Sequence, residues 1–173
     1  MNKQIFILNG TAGAGKDTFA KMLNEHIPTK HISSITPVKQ AAKELGWSGE
    51  KTPEYRNFLC EFKKFLNQQG DFIWNYLDKQ VENFANDDEH KFLLIDIREP
   101  VEIDKAAIRY NARKILISNE NAKRSAIAAK LNDADQNVDN CHYNYVIKND
   151  TSMDDFYENT KDFAAYIIGG MTL

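Results

Sequence analysis

Apolar and polar positions form two kinds of pattern along the chain, short continuous apolar runs and longer segments with helical spacing. Four runs of three or four apolar residues lie at residues 5–8, 92–95, 115–117 and 145–147, and a weaker fifth lies at 31–35. Continuous apolar runs of this length are typical of strands buried on both faces of a sheet. Because segments of helical spacing separate them, the pattern predicts βαβ units and a parallel five-stranded sheet.

Helical spacing fills the intervals between these runs. In the first interval, Phe19, Leu23 and Ile27 recur every fourth position, which predicts a helix over residues 16–27 that Pro28 terminates. Further helices are predicted at residues 37–45, 53–70, 71–85 and 121–131, after residue 100, and from residue 151 or 152 onward. With 173 residues and no internal repeat, the chain is predicted to form one α/β domain over residues 1–173.

The turn after the first strand has the spacing of a phosphate-binding loop. Gly10 is followed by four residues and then by Gly15 and Lys16, between a predicted strand and a predicted helix. Glycines let backbone N–H groups turn toward phosphate oxygens, a helix N-terminus adds partial positive charge, and a lysine reaches the outer phosphates. The alternative is a glycine-rich turn without a ligand, and the flanking strand and helix count against it. We predict that the nucleotide is bound by Gly10, Ala12, Gly13, Ala14, Gly15, Lys16, Asp17 and Thr18.

Asp17 occupies the position at which such loops normally have Ser or Thr, whose hydroxyl contacts Mg²⁺. A carboxylate is also a suitable ligand, because hard cations prefer oxygen. Thr18 lies one residue later on the helix, so its hydroxyl points about 100° away from that position. We therefore predict that Asp17 binds the metal ion and keep Thr18 as the alternative.

A second group of polar residues follows the third strand in the segment FLLIDIREPVE. Asp96 ends the apolar run and Arg98 follows two residues later. An acid at the end of a strand beside a phosphate loop can hold Mg²⁺ through water, and an arginine at the same edge can bind a phosphate through two N–H groups. The alternative is an Asp96 that caps the next helix and an Arg98 in a surface ion pair.

Several of these segments resemble one family. GAGKDT resembles the loop of phage-type deoxynucleoside monophosphate kinases, and animal-type phosphomevalonate kinases are similar in having Asp after the loop Lys. The order of features over residues 36–74 also resembles these kinases: a helix with Lys, a Gly-Trp turn and a helix with Arg. The resemblance implies a three-layer P-loop kinase fold, a central parallel five-stranded sheet flanked by helices. It further implies a helical acceptor-binding insertion at residues 33–85 and a short lid region at 119–142.

The resemblance also implies roles for individual residues. Acceptor binding would fall to Lys39, Arg56, Trp74 and Arg98. From the residues alone, Lys39, Arg56 and Lys63 are equally typical of solvated cations on amphipathic helices, and Trp74 is more often a core residue than a stacking platform.

The lid and the last strand complete the set. In this fold lid cations close over the transferring phosphoryl group, which implicates Arg124, with Lys123 beside it, although a longer arginine series common in related kinases is missing. Lys16, Arg98 and Arg124 are therefore the candidate catalytic residues, and Asp17 and Asp96 the candidate metal ligands. The turn at Asn149 resembles the one near the adenine of ATP, where Asn149 would bind the ring or brace the turn.

Composition limits the classes of partner and the cellular compartment that we expect. The net charge of −3 argues against duplex nucleic acid as a partner. The two cysteines, Cys60 and Cys141, form no CxxC pair, which favours a reducing cytoplasm over a disulfide framework. No apolar stretch has the length of a signal peptide core or a membrane span, so we expect neither.

Together these features predict an ATP-dependent kinase that uses Mg²⁺ and phosphorylates a nucleoside monophosphate, with a small nucleotide as its partner. One alternative is a P-loop kinase for another small phosphorylated metabolite, such as phosphomevalonate or dephospho-coenzyme A. A second is an ATP-binding regulator without phosphotransfer. A GTP switch is less favoured, because the chain has no Asn-Lys-x-Asp segment to recognise guanine.

Overall fold

Five parallel strands form one sheet in the computed structural model, which describes residues 2–50, 52–128 and 138–170, with only the backbone at Pro53 and Asp139. The strands are β1 (Gln4–Asn9), β2 (Thr29–Ser33), β3 (Phe92–Asp96), β4 (Arg113–Ser118) and β5 (Tyr145–Lys148), in the order β2-β3-β1-β4-β5. The predicted parallel sheet is confirmed. Strand β2 begins earlier than the predicted residue 31, because it is an edge strand whose half-polar sequence marks no clear boundary.

Seven α-helices lie within the described residues. They are α1 (Lys16–His26), α2 (Thr36–Glu44), α3 (Pro53–Gly70), α4 (Phe72–Ala85), α5 (Pro100–Arg109), α6 (Glu120–Ala128) and α7 (Met153–Gly169). The predicted helix at 121–131 is confirmed as far as residue 128, and its last three residues lie outside the described residues. No helix in the described part of the chain is both long enough and apolar enough to cross a lipid bilayer.

Helix α3 begins as its sequence predicts, since the Thr52 side chain accepts a hydrogen bond from the Tyr55 N–H at 3.3 Å. The side chain of Asp71 does not cap α4. Asp71 alone separates α3 from α4 and adopts a left-handed conformation (φ 55°) without a side-chain cap bond. A capping side chain needs an extended backbone at that position, which a single-residue connection does not allow here.

The sheet has a core on each face, which explains why the strand sequences are continuously apolar. Successive side chains of a strand point to opposite faces. Phe6, Leu8 and Leu94 therefore pack with α1 and α7, whereas Ile7 and Ile95 pack with α2, α3, α4 and α5. The result is the predicted three-layer arrangement, with the segment at residues 33–85 covering one face.

The strand order determines where a ligand can bind. Strand β1 is central: the chain runs from β1 through β2 to β3 on one side of it and then crosses to β4 on the other side, which makes the carboxyl end of β1 a switch point in the topology. Open parallel sheets bind ligands at such points. In the sheet register, Leu8 of β1 and Ser33 of β2 both align with Asp96 of β3, so three strands end together at this edge.

The N-terminus of α7 allows a first test of the fold. The Ser152 hydroxyl oxygen accepts a hydrogen bond from the Asp155 N–H at 3.1 Å, and the Asp155 carboxylate accepts one from the Ser152 N–H at 3.2 Å. We expect Ser152→Ala to lower the free energy of unfolding by about 1 kcal/mol, because it removes the cap acceptor. Urea denaturation measures this difference. Met153→Ala, at an exposed neighbouring position, is the matched control and should change stability by no more than about 0.5 kcal/mol.

Candidate active site

Two glycines of the loop between β1 and α1 combine a positive φ angle with a lack of room for a Cβ. Gly10 has φ 153°, and a Cβ there would lie 2.7 Å from the carbonyl oxygen of Ile117. Gly15 has φ 105°, and a Cβ there would lie 2.6 Å from Nδ2 of Asn149. The loop therefore packs closely on β4 and on the turn after β5. Ala14 is fully buried beneath it, while Gly13 is exposed at its tip.

Lys16 is the first residue of α1, directly after this loop. Its ammonium group donates hydrogen bonds to the carbonyl oxygens of Gly10, at 2.5 Å, and Thr11, at 3.3 Å. The ammonium thus lies at the loop and beside the N-terminus of α1, whose first N–H groups have no partner within the helix. This combination of cation, loop amides and helix terminus suits an anion such as a polyphosphate.

Asp17 and Asp96, the two candidate metal ligands, lie together with a third side chain, His31 of β2. One ligand atom from each of the three lies within 4.8 Å of the other two. Asp96 Oδ1 and His31 Nε2 are 3.1 Å apart and buried, and among the described residues neither has a hydrogen-bond partner of suitable geometry. The Asp17 side chain is 89% exposed, and its Oδ1 lies 4.0 Å from His31 Nδ1. The two carboxylates offer the oxygen donors that a Mg²⁺ ion prefers, and Asp96 Oδ1 is a buried acceptor without a hydrogen-bond donor of suitable geometry among the described residues.

The electrostatics of this group favour positive charge. Burial lowers the pKa of His31, but the carboxylates of Asp96 and Asp17 outweigh burial, so the pKa lies above its ordinary value. A site that stabilises an imidazolium in this way also stabilises a metal cation. Sequence reasoning missed His31, because it lies one helix after Asp17 and three helices before Asp96, and no motif links the three residues.

Two asparagines hold the phosphate loop in place. The Asn149 side chain donates a hydrogen bond to the Ala14 carbonyl at 2.9 Å, which assigns it to bracing the loop, one of the two roles left open by the sequence. Asn9 is buried at the other end; its Oδ1 accepts from the Gly10 N–H at 2.8 Å, and its Nδ2 donates to the Tyr143 hydroxyl at 2.7 Å. The loop is therefore preorganised from both sides.

The bracing role of Asn149 leads to a prediction that separates it from a contact with the base. We expect Asn149→Ala to weaken the binding of ATP and of inorganic tripolyphosphate by the same factor, roughly tenfold, since one buried hydrogen bond is lost. Isothermal titration calorimetry measures both. Asn159→Ala is the matched control, because Asn159 also donates to a backbone carbonyl, that of Lys148, but lies outside the loop. A loss confined to ATP would instead indicate contact with the adenine.

The candidate acceptor residues lie on one face of the sheet. Arg98 is half-buried and follows Asp96 after one buried residue; Lys39 is exposed on α2, and Arg56 is half-buried on α3. The predicted contact of Trp74 with the acceptor finds no support in its position. Its side chain is only 6% exposed and packs in the core with the Lys105 ammonium 4.4 Å from the ring centre, so we assign it to packing.

The lid side of the site is described only in part, since residues 129–137 of the predicted lid lie outside the described residues. Arg124, the predicted catalytic residue of α6, is exposed. Its neighbour Lys123 lines a small cavity beside the phosphate loop, together with Thr11, Asn119 and Val138. The Asp150 carboxylate accepts a hydrogen bond from the Glu120 N–H and so ties the start of α6 to the turn that braces the loop.

This sheet order, with a glycine loop at its switch point and helices on both faces, is the fold of the P-loop kinases. No protein-family model matches the chain, and no curated protein matches it in sequence. Three solved structures show the fold. Dephospho-CoA kinase from Campylobacter jejuni is similar with a TM-score of 0.61 and 17% identity over 97% of this chain and 98% of its own. A putative kinase from Chloroflexus aurantiacus has a TM-score of 0.55 and 13% identity over 99% and 97%. Shikimate kinase from Bacteroides thetaiotaomicron has a TM-score of 0.51 and 11% identity over 95% and 98%.

Proposed function

We propose that this protein transfers the γ-phosphoryl group of ATP to a nucleoside or deoxynucleoside monophosphate, with ADP and the diphosphate as products. The observation that carries the proposal is the position of Asp17, His31 and Asp96, whose ligand atoms lie within 4.8 Å of one another although they come from α1, β2 and β3. Phosphoryl transfer needs a metal ion to neutralise the phosphate charge, and carboxylates beside the glycine loop are groups that could hold one.

Each part of the site has a task in this reaction. The loop amides and Lys16 bind the outer phosphates of ATP, and Asp17 and Asp96 hold Mg²⁺, with Thr18 as the alternative to Asp17. When bound, Mg²⁺ neutralises the phosphate charge. Asn149 and Asn9 keep the loop in shape, so no reorganisation is needed during the reaction. His31 keeps the Asp96 carboxylate at the sheet edge.

The acceptor binds on the side of the site formed by α2, α3 and the loop after β3. Lys39, Arg56 and Arg98 bind the phosphate of the acceptor, and Arg124 or Lys123 approaches the transferring group from the lid. The attacking oxygen belongs to a phosphate that is already ionised, so the reaction needs positioning and electrostatic stabilisation more than a general base. Closure of the insertion at residues 33–85 and of the lid at 119–142 would exclude water, which would otherwise hydrolyse ATP.

A second candidate is a kinase for another small phosphorylated metabolite. The fold similarity to the dephospho-CoA kinase, over nearly the full length of both chains, is the reason to retain this second candidate. The groups that bind ATP would have the same tasks in either case, since the two candidates differ in the acceptor that receives the phosphoryl group.

Acceptor-dependent release of ADP decides between these functions. The protein is incubated with ATP, Mg²⁺ and one acceptor at a time. The acceptors are the ribo- and deoxyribonucleoside monophosphates, phosphomevalonate and dephospho-coenzyme A, and the ADP released is measured by a coupled assay. We expect release with one or more nucleoside monophosphates. Release with only one of the other metabolites would establish the second candidate. ATP binding without release under any condition would refute phosphotransfer and indicate a regulator.

A further inference from the structure

A buried lysine joins the insertion to the loop that carries Arg98. Lys63 of α3 is only 3% exposed, although lysine is rarely buried without a partner. Its Nζ lies 2.7 Å from Oε2 of Glu99 and also contacts Oε2 of Glu102. Oε1 of Glu102 accepts a hydrogen bond from the Asn67 side chain at 3.3 Å. We call Lys63, Glu99 and Glu102 the buried triad.

The triad connects two separate parts of the fold. Lys63 belongs to the middle of α3, whereas Glu99 is the N-cap residue of α5 and the immediate neighbour of Arg98. Arg56 lies two helical turns before Lys63 on the same side of α3. The triad therefore fixes the distance between the helix that carries Arg56 and the loop that carries Arg98.

Burial of these charges costs free energy, and a gain in the stability of the fold does not explain why they are buried. Buried ion pairs often contribute less to stability than well-packed apolar residues would, because both charges lose their hydration. Here two carboxylates also share a single ammonium group. The charged groups that face Glu102 are Lys63 from α3 and Glu99 from the start of α5.

The two carboxyl groups respond to this arrangement in opposite directions. Burial, and after it the Glu99 carboxylate, raises the pKa of Glu102 from 4.5 to about 7, against the effect of Lys63. Burial also acts to raise the pKa of Glu99, but attraction to Lys63 outweighs it and the pKa lies below its ordinary value. The pair thus retains one proton close to neutral pH.

Glu99 shows where that proton fits. The side chains of Glu99 and Glu102 lie within hydrogen-bond reach of each other, so a protonated Glu102 can donate to the Glu99 carboxylate.

We propose that Lys63, Glu99 and Glu102 are positioning residues, which hold the acceptor insertion against the Arg98 loop so that both arginines meet the acceptor phosphate. The proposal rests on the proposed function for the task of the arginines, but the mechanical link between α3 and the loop does not. The geometry that carries it is a buried ammonium bonded to the residue next to Arg98.

The triad makes acceptor binding depend on pH. When Glu102 is ionised, the triad has an uncompensated buried charge and its hold on the loop weakens. Because the folded protein binds the Glu102 proton more tightly than the unfolded chain, the contribution of this group to stability is complete below pH 4.5 and is lost as the pH rises to about 7. The lowered pKa of Glu99 acts only at lower pH, outside this range.

Glu102→Gln imitates the protonated carboxyl and tests this dependence. We expect the variant to equal wild type in stability near pH 5 and to exceed it at pH 8. The ratio of the acceptor KM of wild type to that of the variant should rise severalfold from pH 6 to pH 8.5; the titration of the acceptor phosphate cancels in this ratio. A constant ratio would overturn the proposed role of Glu102.

Lys63→Met tests the link itself, with Lys64→Met as the matched control. Lys64 is the next residue on α3, and its ion pair with Glu61 is exposed. We expect Lys63→Met to raise the acceptor KM at least about tenfold and the ATP KM less than about twofold, with partial rescue in Lys63→Arg. Lys64→Met should change neither. An equal rise in both KM values would overturn the proposal.

Hydrogen exchange distinguishes failure of this proposal from failure of the proposed function. If wild type phosphorylates no acceptor, the proposed function fails, but the link can still be measured. Lys63→Met should then speed amide exchange in residues 53–70 and 97–103 together, at least about tenfold, and leave the phosphate loop unchanged. Faster exchange in only one segment would refute the link, whichever acceptor the protein uses.

Discussion

Replacing Lys16 by alanine is expected to lower kcat/KM for phosphoryl transfer at least about 100-fold. The Lys16 ammonium lies at the mouth of the loop, bonded to the carbonyl oxygens of Gly10 and Thr11. It is thereby oriented before any phosphate binds, and removal of one preorganised donor costs roughly 3 kcal/mol of transition-state stabilisation. Each 1.36 kcal/mol corresponds to a factor of about ten in rate.

Steady-state ADP release at saturating Mg²⁺ measures the effect on the rate. Lys79→Ala removes an exposed lysine of α4, away from the sheet edge, and should leave kcat/KM unchanged. Circular dichroism and thermal unfolding should show that Lys16→Ala is folded, since its side chain is not part of either core. Near-normal turnover in the folded variant would contradict the assignment of the loop.

Asp96→Asn is expected to raise the Mg²⁺ concentration needed for half-maximal activity by roughly 10- to 100-fold, the range for loss of a group that holds a metal ion through an intervening ligand such as water. The substitution keeps the shape of the side chain and removes its charge. It also removes the main partner that raises the pKa of His31, so we expect that pKa to fall. Activity titrations with Mg²⁺ and the NMR shift of the His31 ring measure the two effects separately.

Three further variants complete this test. Asp17→Asn and Thr18→Val decide between the two alternatives at the loop, because only the true ligand should shift the Mg²⁺ dependence. Asp88→Asn, in the exposed turn before β3, is the control for a general change in charge. An Asp96→Asn variant with the Mg²⁺ dependence of wild type would remove Asp96 from the metal site.

Much of the fold could be predicted because it depends on local pattern. A strand buried on both faces requires an apolar residue at every position, so Phe6 and Ile7 reveal β1 although they belong to different cores. The glycine loop also depends on local sequence, since it is marked by Gly10 and Gly15, whose φ angles disfavour other residues and which lie only five positions apart. Element boundaries without such a constraint, as in β2, were less accurate.

Side chains that are distant in sequence were harder to predict. Lys63 and Trp74 lie on helices whose apolar spacing does not show whether these two side chains face solvent or the core. The packing of α5 against both helices buries them. Glu102 and Lys105, one turn apart on α5, cover Lys63 and Trp74 respectively. The pairing of His31 with Asp96 depends on the alignment of β2 with β3, which joins residues far apart along the chain.

The amino-acid sequence alone determined the parallel sheet, the glycine loop after β1 and the acidic residue at the end of β3, because periodicity and glycine conformation act within a few residues. The tertiary structure decided that His31 joins the two carboxylates, that Asn149 braces the loop and that Lys63 is an internal link. These contacts arise when strands and helices pack, and their distances depend on the whole set of elements, so no single segment of the sequence contains them.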